Sequence, residues 1–149
     1  MRLIKKTIDT GGEELVLYAS HKMGQCPAMS LFLKTYAEII DKGFAYPNIT
    51  WTNTDRVIWA QKGSKIVGGI SYQYSADNKT GWIVLSFVDP AQRGRGIYQT
   101  MHDILEKDVM ASGGDRISSL VHVNNKSRLA SAKKAGMIPE FYRMLKKLP

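Results

Sequence analysis

The sequence predicts one domain, residues 1–149, of the α/β (α+β) class, with a mixed, mostly antiparallel sheet of about seven strands flanked by helices. Three observations favour this class. The chain has 149 residues, of which 44% are hydrophobic and 23% are charged, and these proportions are ordinary for a globular domain. Strand-like segments in its middle are joined by short polar connections, as in antiparallel hairpins. Strand-like and helical segments then alternate to the end of the sequence.

The first third of the chain predicts one long helix after two short elements. Residues 3–9 are predicted as a strand, and residues 13–20 fit either a strand or a short helix. Residues 28–43 carry apolar side chains at near-helical spacing and end in a glycine, which predicts a helix. Residues 44–55 are aromatic and contain proline and asparagine, which indicates a loop.

Three strands are predicted in the middle of the chain, at 56–61, 65–74 and 81–88. The last third begins with a helix, because residues 97, 101, 104, 105 and 109 are apolar and share one helical face. A Ser-Gly-Gly sequence at 112–114 ends this helix. We then expect, in order, a strand at 116–123, a helix at 126–136 and a strand at 140–148.

Positive charge is concentrated near the end of the chain. The net charge is +8, and residues 116–149 hold eight Lys or Arg residues against Glu140 alone, so this third contributes +7. Such a concentration indicates an anionic partner, either a nucleic acid or a phosphorylated small molecule, or else a solvated basic surface. The composition alone leaves these possibilities open.

Cys26 is the sole cysteine, so an internal disulfide and a cysteine-based metal site are both excluded. His21 and His102 show no metal-ligand spacing, and we expect no metal. No histidine partner is indicated for Cys26, which predicts an inert thiol. The sequence has neither a leader-like apolar stretch nor a segment long enough to cross a membrane, so we expect a cytoplasmic protein without a membrane partner.

The segment VDPAQRGRGIYQTM, residues 88–101, combines a strand end, a tight turn and a helix start. A helix start exposes unpaired N–H groups that bind anions. Gly94 and Gly96 let the backbone approach a ligand closely, and Arg93 and Arg95 add positive charge. These features suit a pyrophosphate, although the Gly-Lys-Ser/Thr of a P-loop and the third glycine of a dinucleotide fingerprint are both missing.

This segment resembles the coenzyme motif of the GNAT superfamily of acyl-CoA N-acyltransferases. The motif is Arg/Gln-x-x-Gly-x-Gly/Ala, usually preceded by Val-x-Pro at the end of the fourth strand. Val88-Asp89-Pro90 precedes the segment that begins at Arg93, which matches at Arg93 and Gly96. Tyr98 departs from the pattern, because Gly or Ala is usual there.

A second similarity to the family lies further along the chain. A strand-like segment is followed by Asn125 and then by a short helix that ends at Gly136, with Met137 in the usual aromatic position. Together the two motifs cover about residues 65–145 in the order that the family has.

The resemblance implies that coenzyme A lies between the family's fourth and fifth strands, here 81–88 and 116–123, which splay apart. A backbone N–H near Val88 would then polarise the thioester carbonyl. The coenzyme-binding residues that the resemblance implies are Phe87, Val88, Arg93, Gly94, Arg95, Gly96, Ile97, Tyr98, Asn125 and Arg128.

The resemblance also implies a function, namely transfer of an acetyl group from acetyl-CoA to a primary amine by direct attack in a ternary complex. Two alternatives are a catalytically weak or silent coenzyme A-binding domain and a basic nucleic-acid-binding module. A nucleic-acid partner is not favoured, because we find no recognition helix or stacking platform. We expect a monomer or a homodimer.

Catalytic candidates are few. The strand at 81–88 has neither an acid nor a histidine, and Ser86 carries its only hydroxyl. Ala132 occupies the position where family members usually have a proton-donating tyrosine. His122 is the remaining candidate general base, because a histidine titrates in the useful pH range.

The acceptor is expected near the helix and loop at 28–55, where Phe44, Tyr46 and Trp51 could form an aromatic wall. Glu38, Asp41 and Asp55 could provide the carboxylates for an amine. Trp51 is our principal acceptor-binding candidate, and Tyr142 in the predicted final strand is the other.

Overall fold

The structure is a computed structural model that describes residues 2–45, 50–52 and 54–149. Six strands in these residues form one sheet, in which the spatial order follows the chain order. They are β1 (Arg2–Ile8), β2 (Glu14–Ser20), β3 (Arg56–Lys62), β4 (Lys65–Ser75), β5 (Thr80–Val88) and β6 (Arg116–Ser119). Neighbours from β1 to β5 pair antiparallel, and β6 pairs parallel with β5. The predicted mixed, mostly antiparallel sheet is therefore confirmed.

Three α-helices flank the sheet: α1 (Met29–Asp41), α2 (Ile97–Ala111) and α3 (Lys126–Lys134). All three occur where the sequence predicts a helix. The segment at 13–20, for which a strand and a helix were both open, is strand β2. None of the described helices combines the length and the apolar character that a membrane crossing requires.

Helices α1 and α2 cover opposite faces of the sheet. The α2 face holds a buried cluster that includes Tyr72, Met101 and Leu105. The α1 face holds a second cluster, which includes Phe32 and Trp59. Both faces of the central strands are thus buried, which explains why those strands are almost continuously apolar.

The two strands that were predicted to splay do so. Strand β6 pairs with β5 only from Thr80 to Ile83, and β6 ends at Ser119 while β5 continues to Val88. Among the described residues, no strand therefore pairs with the last five residues of β5, 84–88, on the β6 side, and a gap opens there.

The prediction of a strand at 140–148 is wrong, and the sheet has six strands rather than about seven in the described residues. Phe141, Tyr142, Met144 and Leu145 have 72–89% of their surface exposed. The reason lies in the spacing, because two adjacent apolar pairs interrupt the alternation that gives a strand one buried face. The strand predicted at 116–123 is also shorter and stops at Ser119.

Candidate active site

The turn between β5 and α2 presents bare backbone to open space. Gly94 and Gly96 have φ angles of 76° and 75°, a region that glycine adopts without strain. A Cβ atom added at Gly94 would meet nothing within 4 Å. Gly96 is the residue immediately before α2, so the free N–H groups of the first helical turn begin here. An anion can therefore approach the turn closely.

The free edge of β5 also presents N–H groups to the gap. The Asp89 N–H donates to the Val67 carbonyl of β4 at 2.8 Å. Because N–H groups alternate in direction along an extended strand, the N–H groups of Val88 and Ser86 point the other way, towards the gap. A carbonyl oxygen placed in the gap could accept a hydrogen bond from them.

A cavity of about 990 Å³ occupies this gap and reaches both faces of the sheet. Strand β5, the turn at 89–96 and the first residues of α2 line one part, and α3 with the residues before it lines another. Helix α1 lines the far end together with Phe44, Thr50, Gln73 and Trp82. The cavity could hold two ligands end to end across the sheet.

The charged groups that line the cavity are mainly basic. They are Lys34, Lys42, Lys65, Arg93, Arg128 and Lys134, against Glu38 and Asp89. Asp89 forms an ion pair with Lys65 at 2.6 Å, and this contact lowers the pKa of its carboxyl group. Of these two acidic groups, Glu38 is therefore the one that forms no ion pair with another described residue.

Nine of the ten residues predicted to bind the coenzyme line this cavity. They are Phe87, Val88, Arg93, Gly94, Gly96, Ile97, Tyr98, Asn125 and Arg128. The Asn125 side chain accepts the Arg128 N–H at 3.2 Å and so caps α3. The two motifs, which are about thirty residues apart in sequence, thus meet at one site.

Arg95, the tenth residue, does not line the cavity. Its guanidinium forms an ion pair with Glu13 at 2.6 Å, in the turn between β1 and β2. In the same place the Thr10 N–H donates to the Arg95 carbonyl at 3.3 Å. The side chain of Arg95 therefore ties the motif turn to the β1–β2 turn, which sequence spacing alone cannot show.

Both catalytic candidates line the cavity. Ser86 is half-buried on β5, beside the gap. His122 lies in the segment after β6 rather than on a strand, and its ring stacks on Phe44 with 5.2 Å between centroids. The Asn124 N–H donates to His122 Nδ1 at 3.1 Å, so in neutral His122 the proton is on Nε2.

The two acceptor candidates lie elsewhere. The Trp51 indole N–H donates to Ser71 at 3.2 Å, and its ring packs edge-to-face on Tyr36, so Trp51 is part of the core on the α1 face of the sheet. Tyr142 is 79% exposed in the C-terminal segment. Neither residue lines the cavity. Tyr46, the third member of the predicted aromatic wall, lies outside the described residues.

The surroundings of Asp55 and Cys26 indicate structural roles for these two residues. Asp55 is buried and accepts hydrogen bonds from Thr52 and Gln73, so it holds the loop before β3. Burial raises the pKa of the Cys26 thiol to about 11, which keeps it protonated and a poor nucleophile.

Gln73 and Trp82 line the acceptor end of the cavity but were missed in the sequence. Their register partners explain the omission. Gln73 pairs with Trp82 across β4 and β5, and the register shifts one pair away, between Ser71 and Tyr72 of β4. Beyond the shift, side chains that simple alternation would place on one face of the sheet lie on the other face. No sequence pattern marks this change.

The model of the acetyltransferase (GNAT) family matches residues 26–137 of the chain. The chain therefore belongs to the GNAT acetyltransferase family and is an N-acetyltransferase by class. No curated protein sequence gives a significant match.

Solved structures of acetyltransferases share the fold at low sequence identity. An aminoglycoside acetyltransferase from an uncultured soil metagenomic sample, in complex with sisomicin, is 17% identical, with 89% of this chain and 97% of that chain covered and a TM-score of 0.63. Ribosomal-protein-alanine N-acetyltransferase from Brucella melitensis biovar Abortus 2308 is 10% identical, with a TM-score of 0.66. The match covers 90% of this chain and 99% of that chain. AAC(6')-Iy, in complex with a bisubstrate analogue of coenzyme A and acetylneamine, is 11% identical, with a TM-score of 0.65. The match covers 91% of this chain and 98% of that chain.

Proposed function

We propose that the protein transfers the acetyl group of acetyl-CoA to a primary amine, with both substrates bound at once. The observation that carries this proposal is the continuous cavity through the gap between β5 and β6. One of its ends suits a pyrophosphate, and its other end lies on the opposite face of the sheet. The coenzyme A complexes of similar acetyltransferases support this choice of acetyl donor.

The coenzyme end would use backbone and basic groups together. The N–H groups at the turn and at the start of α2 would bind the pyrophosphate, with the help of the guanidinium of Arg93. Arg128 and Asn125 would bind on the α3 side. The Val88 N–H would donate to the thioester carbonyl and stabilise the negative charge that develops on its oxygen.

Transfer would proceed by direct attack of the unprotonated amine on the thioester carbon. The C–N bond forms, the C–S bond breaks, and the thiolate takes up a proton while the amide nitrogen loses one. Ser86 could order a water molecule that relays this proton. His122 is poorly placed to act as the base, because its Nδ1 already accepts the Asn124 N–H and its Nε2 carries a proton.

The acceptor end favours an amine of low positive charge with an apolar portion. Phe44 and Trp82 offer aromatic surface, and Glu38 offers a carboxylate for the ammonium group of the acceptor before it loses its proton. Lys34 and Lys42 lie on the same wall and would repel a polycation. We therefore propose an aromatic or apolar monoamine, although most of the similar solved structures compared are aminoglycoside acetyltransferases.

An amine panel tests this proposal. Acetyl-CoA would be combined with phenethylamine, with an alanine-initiated peptide and with sisomicin, and release of free thiol would be followed. We expect phenethylamine to give the highest kcat/KM and Glu38→Gln to lower it, whereas Asp77→Asn, in the exposed β4–β5 turn, should leave it unchanged. Fastest turnover with sisomicin would refute the acceptor assignment. Binding of acetyl-CoA without thiol release from any amine would indicate a silent domain.

A further inference from the structure

Three neighbouring side chains, of which Tyr98 and Arg128 line the cavity, each have a buried polar atom without a hydrogen-bond partner among the described residues. These atoms are the Tyr98 hydroxyl, His102 Nε2 and Arg128 Nη1. The Arg128 guanidinium lies over the Tyr98 ring, 5.1 Å from its centroid. The Tyr98 and His102 rings are 5.8 Å apart. Buried polar atoms are seldom left unpaired, so this cluster at the α2–α3 contact requires an explanation.

The proton on His102 can be assigned from its other nitrogen. His102 Nδ1 lies 3.1 Å from the Glu106 carboxylate, which only accepts, so Nδ1 carries a proton. Burial lowers the pKa of His102, although Glu106 and Asp103 act against this and Arg128 acts with it. The imidazole is therefore neutral, and its Nε2 is an acceptor.

The three unpaired atoms then complement one another. Arg128 Nη1 can only donate, His102 Nε2 only accepts, and the Tyr98 hydroxyl can do both. Burial raises the pKa of Tyr98, which keeps the hydroxyl protonated. A chain of hydrogen bonds that runs from Arg128 through Tyr98 to His102 and Glu106 would satisfy all three atoms.

We propose that Tyr98 and His102 are positioning residues that hold the Arg128 guanidinium at the cavity wall, where it contacts a phosphate of coenzyme A. This inference rests on the proposed function, because it takes coenzyme A as the ligand. It gives a role to Tyr98, which departs from the family motif. A Gly or Ala at residue 98 would have neither a ring beneath the guanidinium nor a hydroxyl. Arg128 also donates to Ser119 at 3.4 Å, so the guanidinium is held from two sides.

A double-mutant cycle tests the coupling between Tyr98 and Arg128. Coenzyme A binding would be measured by calorimetry for the wild type, Tyr98→Leu, Arg128→Gln and the double variant. We expect each single substitution to weaken binding about tenfold and the double variant to bind no more weakly than Arg128→Gln. Tyr98→Phe keeps the packing of the ring and should weaken coenzyme A binding about threefold in the wild-type background. In the Arg128→Gln background it should have no effect.

Tyr74→Phe is the matched control, since its hydroxyl donates to the Ser112 carbonyl away from the cavity. It should leave coenzyme A binding unchanged. The proposal would be overturned if Tyr98→Phe lowered the affinity for coenzyme A equally in the wild type and in Arg128→Gln. It would also be overturned if Tyr98→Phe lowered the affinity in neither background. If Tyr98→Leu does not fold, Tyr98→Phe alone decides.

A measurement without ligand separates this inference from the proposed function. In the free protein, the side-chain N–H signal of Arg128 in NMR spectra should exchange slowly with solvent, and in Tyr98→Phe it should exchange faster. Fast exchange already in the wild type would overturn the positioning role. Failure of the wild type to bind coenzyme A would instead overturn the proposed function.

Discussion

Residues that are adjacent in the turn between β5 and α2 have different roles. Gly94 and Gly96 provide backbone conformations that open the turn to an anion. Arg95 lies between them, yet its side chain points away and pairs with Glu13. The sequence shows that the segment is glycine-rich and basic, but it does not show in which direction each arginine points.

His122 gives a prediction at the scale of one residue. Because its Nδ1 accepts a backbone N–H, we expect His122→Gln to keep most of the activity. The kcat/KM should still rise with pH as the amine loses its proton, and it should do so in both proteins. The measurement is the pH profile of kcat/KM with the best amine of the panel.

A general base at His122 would give a different profile. A second inflection, besides that of the amine, would then be present in the wild type and absent from His122→Gln. The rate would also fall about 100-fold or more. That result would contradict the conclusion that His122 does not act as the base.

At the scale of elements, the β1–β2 turn supports the motif turn. Lys62 of β3 donates to Asp9 at 2.5 Å, to Gln92 at 2.7 Å and to Glu13. Asp9 also accepts the N–H groups of Gly11 and Glu13, each at 2.9 Å. Three elements that are far apart in sequence are thus joined at one polar cluster.

This cluster predicts a dependence of stability on pH. The hydrogen bond from Lys62, and next that from the Glu13 backbone, lower the pKa of Asp9 from 3.8 to about 2. A carboxyl group whose pKa is lower in the folded state stabilises the protein above the unfolded value, and this contribution is lost as the pH falls through the folded value. The melting temperature of Asp9→Asn should therefore be below that of the wild type at neutral pH, and the difference should shrink between pH 3.8 and about 2.

Thermal unfolding of both proteins from pH 2 to pH 7 measures this difference. Asp77→Asn in the exposed β4–β5 turn serves as the control and should change the melting temperature little. A difference between Asp9→Asn and the wild type that stays constant down to pH 2 would contradict the assigned role of the Asp9 carboxylate.

Elements were predictable where a local pattern determines them. The apolar spacing of α2 and its glycine-rich ends mark that helix in the sequence, and the structure has it at Ile97–Ala111. The register shift between β4 and β5 has no such signal, so Gln73 and Trp82 were missed at the site. The prediction for the C-terminal segment is wrong because its apolar residues lack the alternation that a strand needs.

At the scale of the whole molecule, the sheet is both the core and the boundary between the two ends of the site. Helices α1 and α2 bury its two faces, and the gap between β5 and β6 connects them. The net charge of +8 and the basic cavity would attract an anionic donor such as acetyl-CoA. The same charge would also attract a nucleic acid, so charge alone does not separate the two ligands.

Calorimetric titration with acetyl-CoA and with a generic oligonucleotide tests the central claim most directly. We expect micromolar binding of acetyl-CoA by the wild type and by Gly63→Val, a control with the same kind of backbone strain in the β3–β4 turn. Gly96→Val should lose affinity on the order of 100-fold, because valine is strained at a φ of 75° and the turn that presents its N–H groups to the ligand would have to rearrange. Binding of the oligonucleotide but not of acetyl-CoA, or normal binding of acetyl-CoA by Gly96→Val, would contradict the proposed site.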